Sequence, residues 1–278
     1  MTGGIVGIFA HPDDEAFGMA GTLLRATRAG QAAALVCATR GEAGEIADPA
    51  LATPATLGQV REGELRAAAA AVGVRDVSFL DYLDGHLAEA DQDEAVERIT
   101  RQIRRLRPAV VVTFAANGMY GHPDHIAIHH LTLAAVAAAA DPARYPEHLA
   151  EGLAPHPTAK VYYTAPSRER LAARRAEMAA AGQGDFMPGG NAATIPFEQM
   201  ATPEAEITTR VVLTDAEMEA KGAALAAHAT QMPPEGMFRS LPPEGLREFL
   251  GLETFTLAPP PISARAYPTP EDDLFAGL

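Results

Sequence analysis

Two short stretches concentrate the residues able to do chemistry. In AHPDDE (10–15) one histidine and three acids fall within five positions, His11 to Glu15, directly behind an apolar run. In MYGHPDHIAIHH (119–130) a tyrosine, an aspartate and several histidines follow more than a hundred residues later. Acids at a helix start often do no more than complement its dipole. Two His/Asp clusters delivered to one crevice are better explained by a cation. Together they supply His11, Asp14 and His125, two imidazoles and a carboxylate. That set suits one zinc ion with a fourth position left for water, and iron(II) or cobalt would also be accepted. A closed structural site would normally recruit cysteines, so the set reads as catalytic. Asp13, beside the ion, is placed to take a proton from water activated there. His122, three residues before His125, could donate to a developing oxyanion or to a leaving amine, and Tyr120 offers a hydroxyl to the same oxyanion. Asp124 could orient one of the histidines from behind. His129 and His130, further along the same helix, read as packing or surface residues.

The elements that must position these residues are legible in the first half. Apolar runs at 4–10, 32–39, 76–82, 109–115 and 159–165 read as strands, and helical patterns at 15–29, 57–73, 93–106 and 123–140 separate the first four and lead into the fifth. Continuous apolar strands alternating with helices imply a parallel sheet covered on both faces. The fold class is α/β: a Rossmann-like, doubly wound, mostly parallel sheet of order 3-2-1-4-5. In that order strands one and four are neighbours where the winding reverses, so residues just after Ala10 and just after Phe114 face one another. The second half is less regular. Residues 166–203 are rich in Gly, Pro and Ala and read as a long loop or lid. Residues 204–213 alternate like a strand, and 214–232 read as a helix opened by a Thr214/Glu217 capping box. A Pro-rich tail leaves room for one short helix and a strand at 252–258. The whole reads as a single domain over 1–278, with a core at 1–165, the lid at 166–203 and a C-terminal extension at 204–278.

Composition narrows the partners. A net charge of −14 among 278 residues argues against nucleic acid. The best candidate for a basic cluster, RQIRRLRP (101–108), reads as the exposed, cationic last turn of a helix. Cys37, the single cysteine, lies in an apolar run and reads as a small buried hydrophobe. No apolar run approaches the length of a membrane span, and the start shows no leader, so a cytoplasmic protein is expected. The first strand–helix turn has no glycine triplet, and its acids would repel a pyrophosphate, which argues against a dinucleotide. The sequence is compatible with a homo-oligomer.

AHPDDE followed by GHPDH resembles the LmbE-like, or PIG-L, superfamily of zinc-dependent N-acetylglucosaminyl deacetylases, which includes the deacetylases of mycothiol and bacillithiol biosynthesis. The likeness runs over residues 4–165, including TRGEAGE (39–45), REGELRAAAAAVGV (61–74) and LDYLDG (80–85), and returns at KGAALAAHATQ (221–231). It implies zinc on His11, Asp14 and His125, Asp13 as general base, and His122 with Tyr120 steadying the tetrahedral intermediate. The expected partner is a small-molecule N-acetylated sugar conjugate. Arg40, Glu42, Arg61, Asp84, His228 and Gln231 are candidate contacts to it. For Arg61 an ion pair with a neighbouring glutamate competes with that role, and for Asp84 the capping of a turn before Gly85. A related amidase, cleaving the sugar–cysteine amide of thiol conjugates, is the alternative; a metal-dependent sugar-binding protein without turnover is the third reading.

Overall fold

The computed structural model of the chain describes residues 3–180, 182, 193–232 and 243–278. Five strands run parallel: β1 (Gly4–Phe9), β2 (Ala33–Cys37), β3 (Asp76–Phe79), β4 (Pro108–Phe114) and β5 (Lys160–Thr164). Two more, β6 (Thr209–Val212) and β7 (Leu252–Leu257), join antiparallel, β7 on β5 and β6 on β7. The sheet order is β3-β2-β1-β4-β5-β7-β6, which contains the expected 3-2-1-4-5 series. β1, the middle one of the five parallel strands, is buried along its whole length, as a strand covered on both faces must be. Its register, Ile5 against Ala33 and Val6 against Val111, brings the ends of β1 and β4 level.

Helices α1 (Asp14–Arg28), α2 (Leu57–Ala71), α3 (Gln92–Leu106) and α4 (Pro123–Ala140) are the crossovers. α5 (Arg168–Ala180), α6 (Asp215–Ala227) and α7 (Pro243–Leu250) follow β5. α3 packs on α4, while α6 packs on both α1 and α2, so right-handed crossovers put the two groups on opposite faces of the sheet. The α3 stripe of Ala95, Val96, Ile99 and Ile103 is buried, and its spacing is that of one helix face. Among the described residues, no helix is long and apolar enough to cross a membrane. Cys37 is free and buried.

Three expectations are corrected. Residues 168–180, read as loop, form α5, because RERLAARRAEMAA consists almost wholly of strong helix formers; the flanking Gly- and Pro-rich stretch masked that signal. The lid reading of 183–192 lies outside the described residues. The cationic turn at 101–108 is not uniformly exposed: Arg104 is buried and donates to the carbonyls of Ala138, Ala139, Asp141, Arg144 and Tyr145. It thus ties the end of α4 to the turn that follows it. Finally, α6 stops at Ala227, so His228 and Gln231 sit in the turn beyond it. The Thr214/Glu217 capping box is present in full.

Candidate active site

α1 and α4 start from the carboxyl ends of adjacent strands, and their first turns face each other across the switch point. The ring nitrogen Nδ1 of His11 lies 3.2 Å from Nε2 of His125. The carboxylate of Asp14 stands 3.8 Å from the former and 3.4 Å from the latter. The other nitrogen of each ring is already committed. His11 Nε2 faces Asp84 at 2.9 Å and Asp124 at 3.3 Å. His125 Nδ1 lies 3.2 Å from the carbonyl of Gly118. Only a ring N–H can satisfy those acceptors, so in the neutral rings the lone pairs of His11 Nδ1 and His125 Nε2 are aimed at one another.

Two lone pairs and a carboxylate at that separation require a proton or a metal ion between them. Ligand atoms at about 2.0–2.2 Å from a tetrahedral zinc lie about 3.3–3.6 Å apart, close to the spacings observed. The residues therefore fit a divalent ion. His11, His122 and His125 also bring three ring nitrogens within 4.8 Å of one another, so His122 stands close to the same point. A second grouping of His11, Asp84 and Asp124 is accounted for by the hydrogen bonds that His11 makes away from the triad.

The electrostatics fit a site built for positive charge. Burial opposes a charge on His11, but Asp124, Asp84 and Asp14 outweigh it and push the ring up to about 10. Burial raises Asp14 to about 7, with His11 working against it and Asp13 with it. Asp13 is raised by burial, against the pull of Arg61. Asp84, despite its burial, is held at about 2 by His11. His122 and His125 are both lowered, by burial first and then by the charge on His11. Tyr120 is raised by burial and by Asp14 and Asp13, which keeps its phenol a donor.

Asp13 is held in an unusual posture. Its φ of 112° places a non-glycine residue in the left-handed half of backbone space, which costs about 1–3 kcal/mol. Arg61 braces it by donating to Pro12 O at 2.6 Å and to Asp13 Oδ2 at 3.2 Å. Arg61 also donates to Gly41 O at 2.7 Å, tying the loop after β2 to the same point. Gly41 is needed there: its φ is +66°, and a Cβ would meet Arg61 Nη1 at 2.2 Å.

Tyr120 and His122 sit on the turn from β4 to α4. Met119 has φ 65° and ψ −67° in that turn, and the segment beyond α5 clamps it. Ala201 N donates to Met119 O, Thr194 N to Tyr120 O, and Asn117 Nδ2 to the carbonyls of Gln199 and Ala201. Tyr120 packs with Phe197, Met200 and Ile195 in a small apolar cluster. His122 Nδ1 accepts from the Asp124 backbone N–H at 3.2 Å, so the neutral ring carries its proton on Nε2.

The structure thus gathers His11, Asp14, His122 and His125, with Asp124 on His11 and Tyr120 against the ring of His125, while Asp13, next to Asp14 in the chain, has its carboxylate on Arg61. Asp124 Oδ2 stands 3.3 Å from His11 Nε2. The candidate substrate contacts divide. Asp84 accepts from His11 and from Ala43 N, so its carboxylate is committed to the protein. Arg40 is bound to Glu62 and Asp81 and lies over the ring of Phe79. Arg61 is buried and its acidic partner is Asp13, not a glutamate. Glu42 accepts from Asp84 N with one oxygen and leaves the other buried and unpaired. Gln231 donates to Glu45 O. His228 is 0% exposed and its Nε2 faces Glu15 Oε1 at 2.8 Å, which corrects its expected contact with substrate. His129 is a packing residue against Phe114 O, as expected. Glu15 was missed: within a run of acids, nothing in the sequence shows which one meets a histidine from the far end of the chain.

The family model described as GlcNAc-PI de-N-acetylase (PIG-L) matches residues 6–136, which contain both motifs. The chain is 38% identical over 293 residues to a Salinispora arenicola protein named 1D-myo-inositol 2-acetamido-2-deoxy-alpha-D-glucopyranoside deacetylase, covering 98% of this chain and 90% of that one. A protein of the same name from Thermobispora bispora is 38% identical over 304 residues, covering 98% and 97%. Among solved structures, N,N'-diacetylchitobiose deacetylase from Pyrococcus horikoshii superposes with a TM-score of 0.66 at 22% identity, covering 91% of this chain and 83% of that one; at that identity it speaks to the fold alone. With the motif pair, the fold and near full-length identity in agreement, the chain belongs to the PIG-L (GlcNAc-PI de-N-acetylase) family.

Proposed function

We propose that this protein is a zinc-dependent N-deacetylase that removes the acetyl group from a 2-acetamido-2-deoxyglucoside, releasing acetate and the free amine. The observation that carries the reading is the convergence of His11 Nδ1, His125 Nε2 and the Asp14 carboxylate, with Asp13 preceding Asp14 in the chain. Relatives of this length and identity, named as deacetylases of an inositol-linked acetamido sugar, make that conjugate the first substrate to try.

His11, Asp14 and His125 hold the ion in this reading; once bound, it acidifies water and polarises a carbonyl. Asp13 takes the proton of the attacking water on its carboxylate, which Arg61 keeps in place. His122 presents its Nε2–H, because Nδ1 is occupied by Asp124 N, and donates a hydrogen bond to the oxyanion; the proton that Asp13 took from water passes to the departing nitrogen as the C–N bond breaks. Tyr120 adds its hydroxyl to the same oxyanion. Asp84 and Asp124 fix the tautomer and the ring angle of His11.

Acetate release from a panel of acetamido sugar conjugates tests this, with the inositol glucoside set against the sugar–cysteine amide of a thiol conjugate. Acetate from the first and no cysteine from the second is the expected result. An Asp13→Asn control should bind one equivalent of zinc and lose about 10²–10⁴-fold in rate. Cysteine release without acetate would replace the deacetylase with the amidase.

A further inference from the structure

The turn that follows α6 is buried against the site from behind. His228 sits at its start, Thr230 donates to both oxygens of Glu64 on α2, and Gln231 reaches Glu45 O. His228 Nε2 meets Glu15 Oε1 at 2.8 Å, and the other oxygen of Glu15 accepts the backbone N–H of Asp13 at 3.1 Å. One carboxylate therefore links a ring from the C-terminal half to the residue with the strained backbone. His228 is 0% and Glu15 is 3% exposed, so neither can touch a substrate. Arg61 grips the side chain of Asp13 and the carbonyl before it; Glu15 grips its amide.

We propose that His228 is a positioning residue: by fixing Glu15 it holds the Asp13 amide, and with it the backbone posture that delivers the Asp13 carboxylate to the site. The kinetic part of this rests on Asp13 being the base of the reaction above. The structural part does not. A contact to the substrate, suggested by the position of His228 in the AHATQ stretch, is replaced by action through Glu15.

The test compares His228→Gln with His228→Asn. Glutamine places an amide N–H where Nε2 stands and can reach Glu15. Asparagine carries the same amide one carbon shorter, at the position of Nδ1, which has no hydrogen-bond partner. Both variants are burdened alike by a buried amide, so the difference between them reports the contact. In zinc-loaded protein labelled with ¹⁵N-aspartate, the Asp13 resonance is assigned by its loss in Asp13→Asn. His228→Gln is expected to keep that resonance and a kcat within about threefold of the unaltered protein. His228→Asn is expected to displace the resonance and lower kcat about 10–100-fold, with KM within twofold and one zinc retained. The resonance arm decides the proposal even if no acetamido sugar is turned over. Equal behaviour of the two variants, or a raised KM at unchanged kcat, would overturn it.

Discussion

Two imidazole nitrogens lie 3.2 Å apart, and the second nitrogen of each ring faces an acceptor. They leave little besides a shared proton or an ion to sit between them. The acid beside them depends on an exact backbone, which makes the loop after β2 a sensitive place although it touches no ligand atom. Gly41→Ala adds a Cβ at 2.2 Å from Arg61 Nη1 and strains the positive φ. It is expected to cost about 1–3 kcal/mol of stability and to lower kcat by loosening the brace on Asp13, with zinc still bound. Urea unfolding and steady-state rates check this; unchanged stability and rate would show that Arg61 is not needed where it stands. The triad residues were legible in the sequence because His-x-x-Asp and Asp-His each sit at a strand–helix turn, where local spacing decides convergence. Asp84 on His11 and His228 on Glu15 were not, because each pairing depends on where a remote turn lands.

At the level of elements, the crossovers of the first half announce themselves through apolar strands and helical periodicity. α5 did not, since its polar and alanine-rich sequence buries little and its neighbours carry the Gly and Pro of a loop. α6 shows how a helix of the second half is fastened to the core. Glu217 closes its capping box and also binds Arg25 of α1 at 2.8 Å. Arg25 first, aided by Thr214 and opposed by burial, lowers Glu217 from 4.5 to about 2. A carboxylate lowered on folding adds stability above its unfolded pKa and loses it as pH falls through the folded one. The stability advantage of the unaltered protein over Glu217→Gln is therefore expected to be about 1 kcal/mol near neutrality, to shrink below pH 4.5 and to vanish near pH 2. Urea titrations across that range measure it. A difference that does not change with pH would mean that the ion pair with Arg25 contributes nothing.

Across the whole molecule, the doubly wound sheet brings two motifs from distant parts of the chain to one crevice, and the chain's later third returns to serve it. β6 and β7 extend the sheet, the 193–201 segment clamps the Tyr120 turn, and the turn after α6 closes on Glu15. The parallel half of that design was readable from alternating strands and helices; the antiparallel return was not, because pairing of β7 with β5 is set by a long connection and not by local pattern. The central claim is that one divalent ion, held by His11, Asp14 and His125, is required for amide hydrolysis. The most direct measurement is acetate release from the inositol-linked acetamido sugar by chelator-stripped protein as zinc is returned in fractional equivalents. Turnover should be absent at first, rise in proportion to zinc and break at one equivalent per chain; stripped protein that retains its full rate would contradict the account.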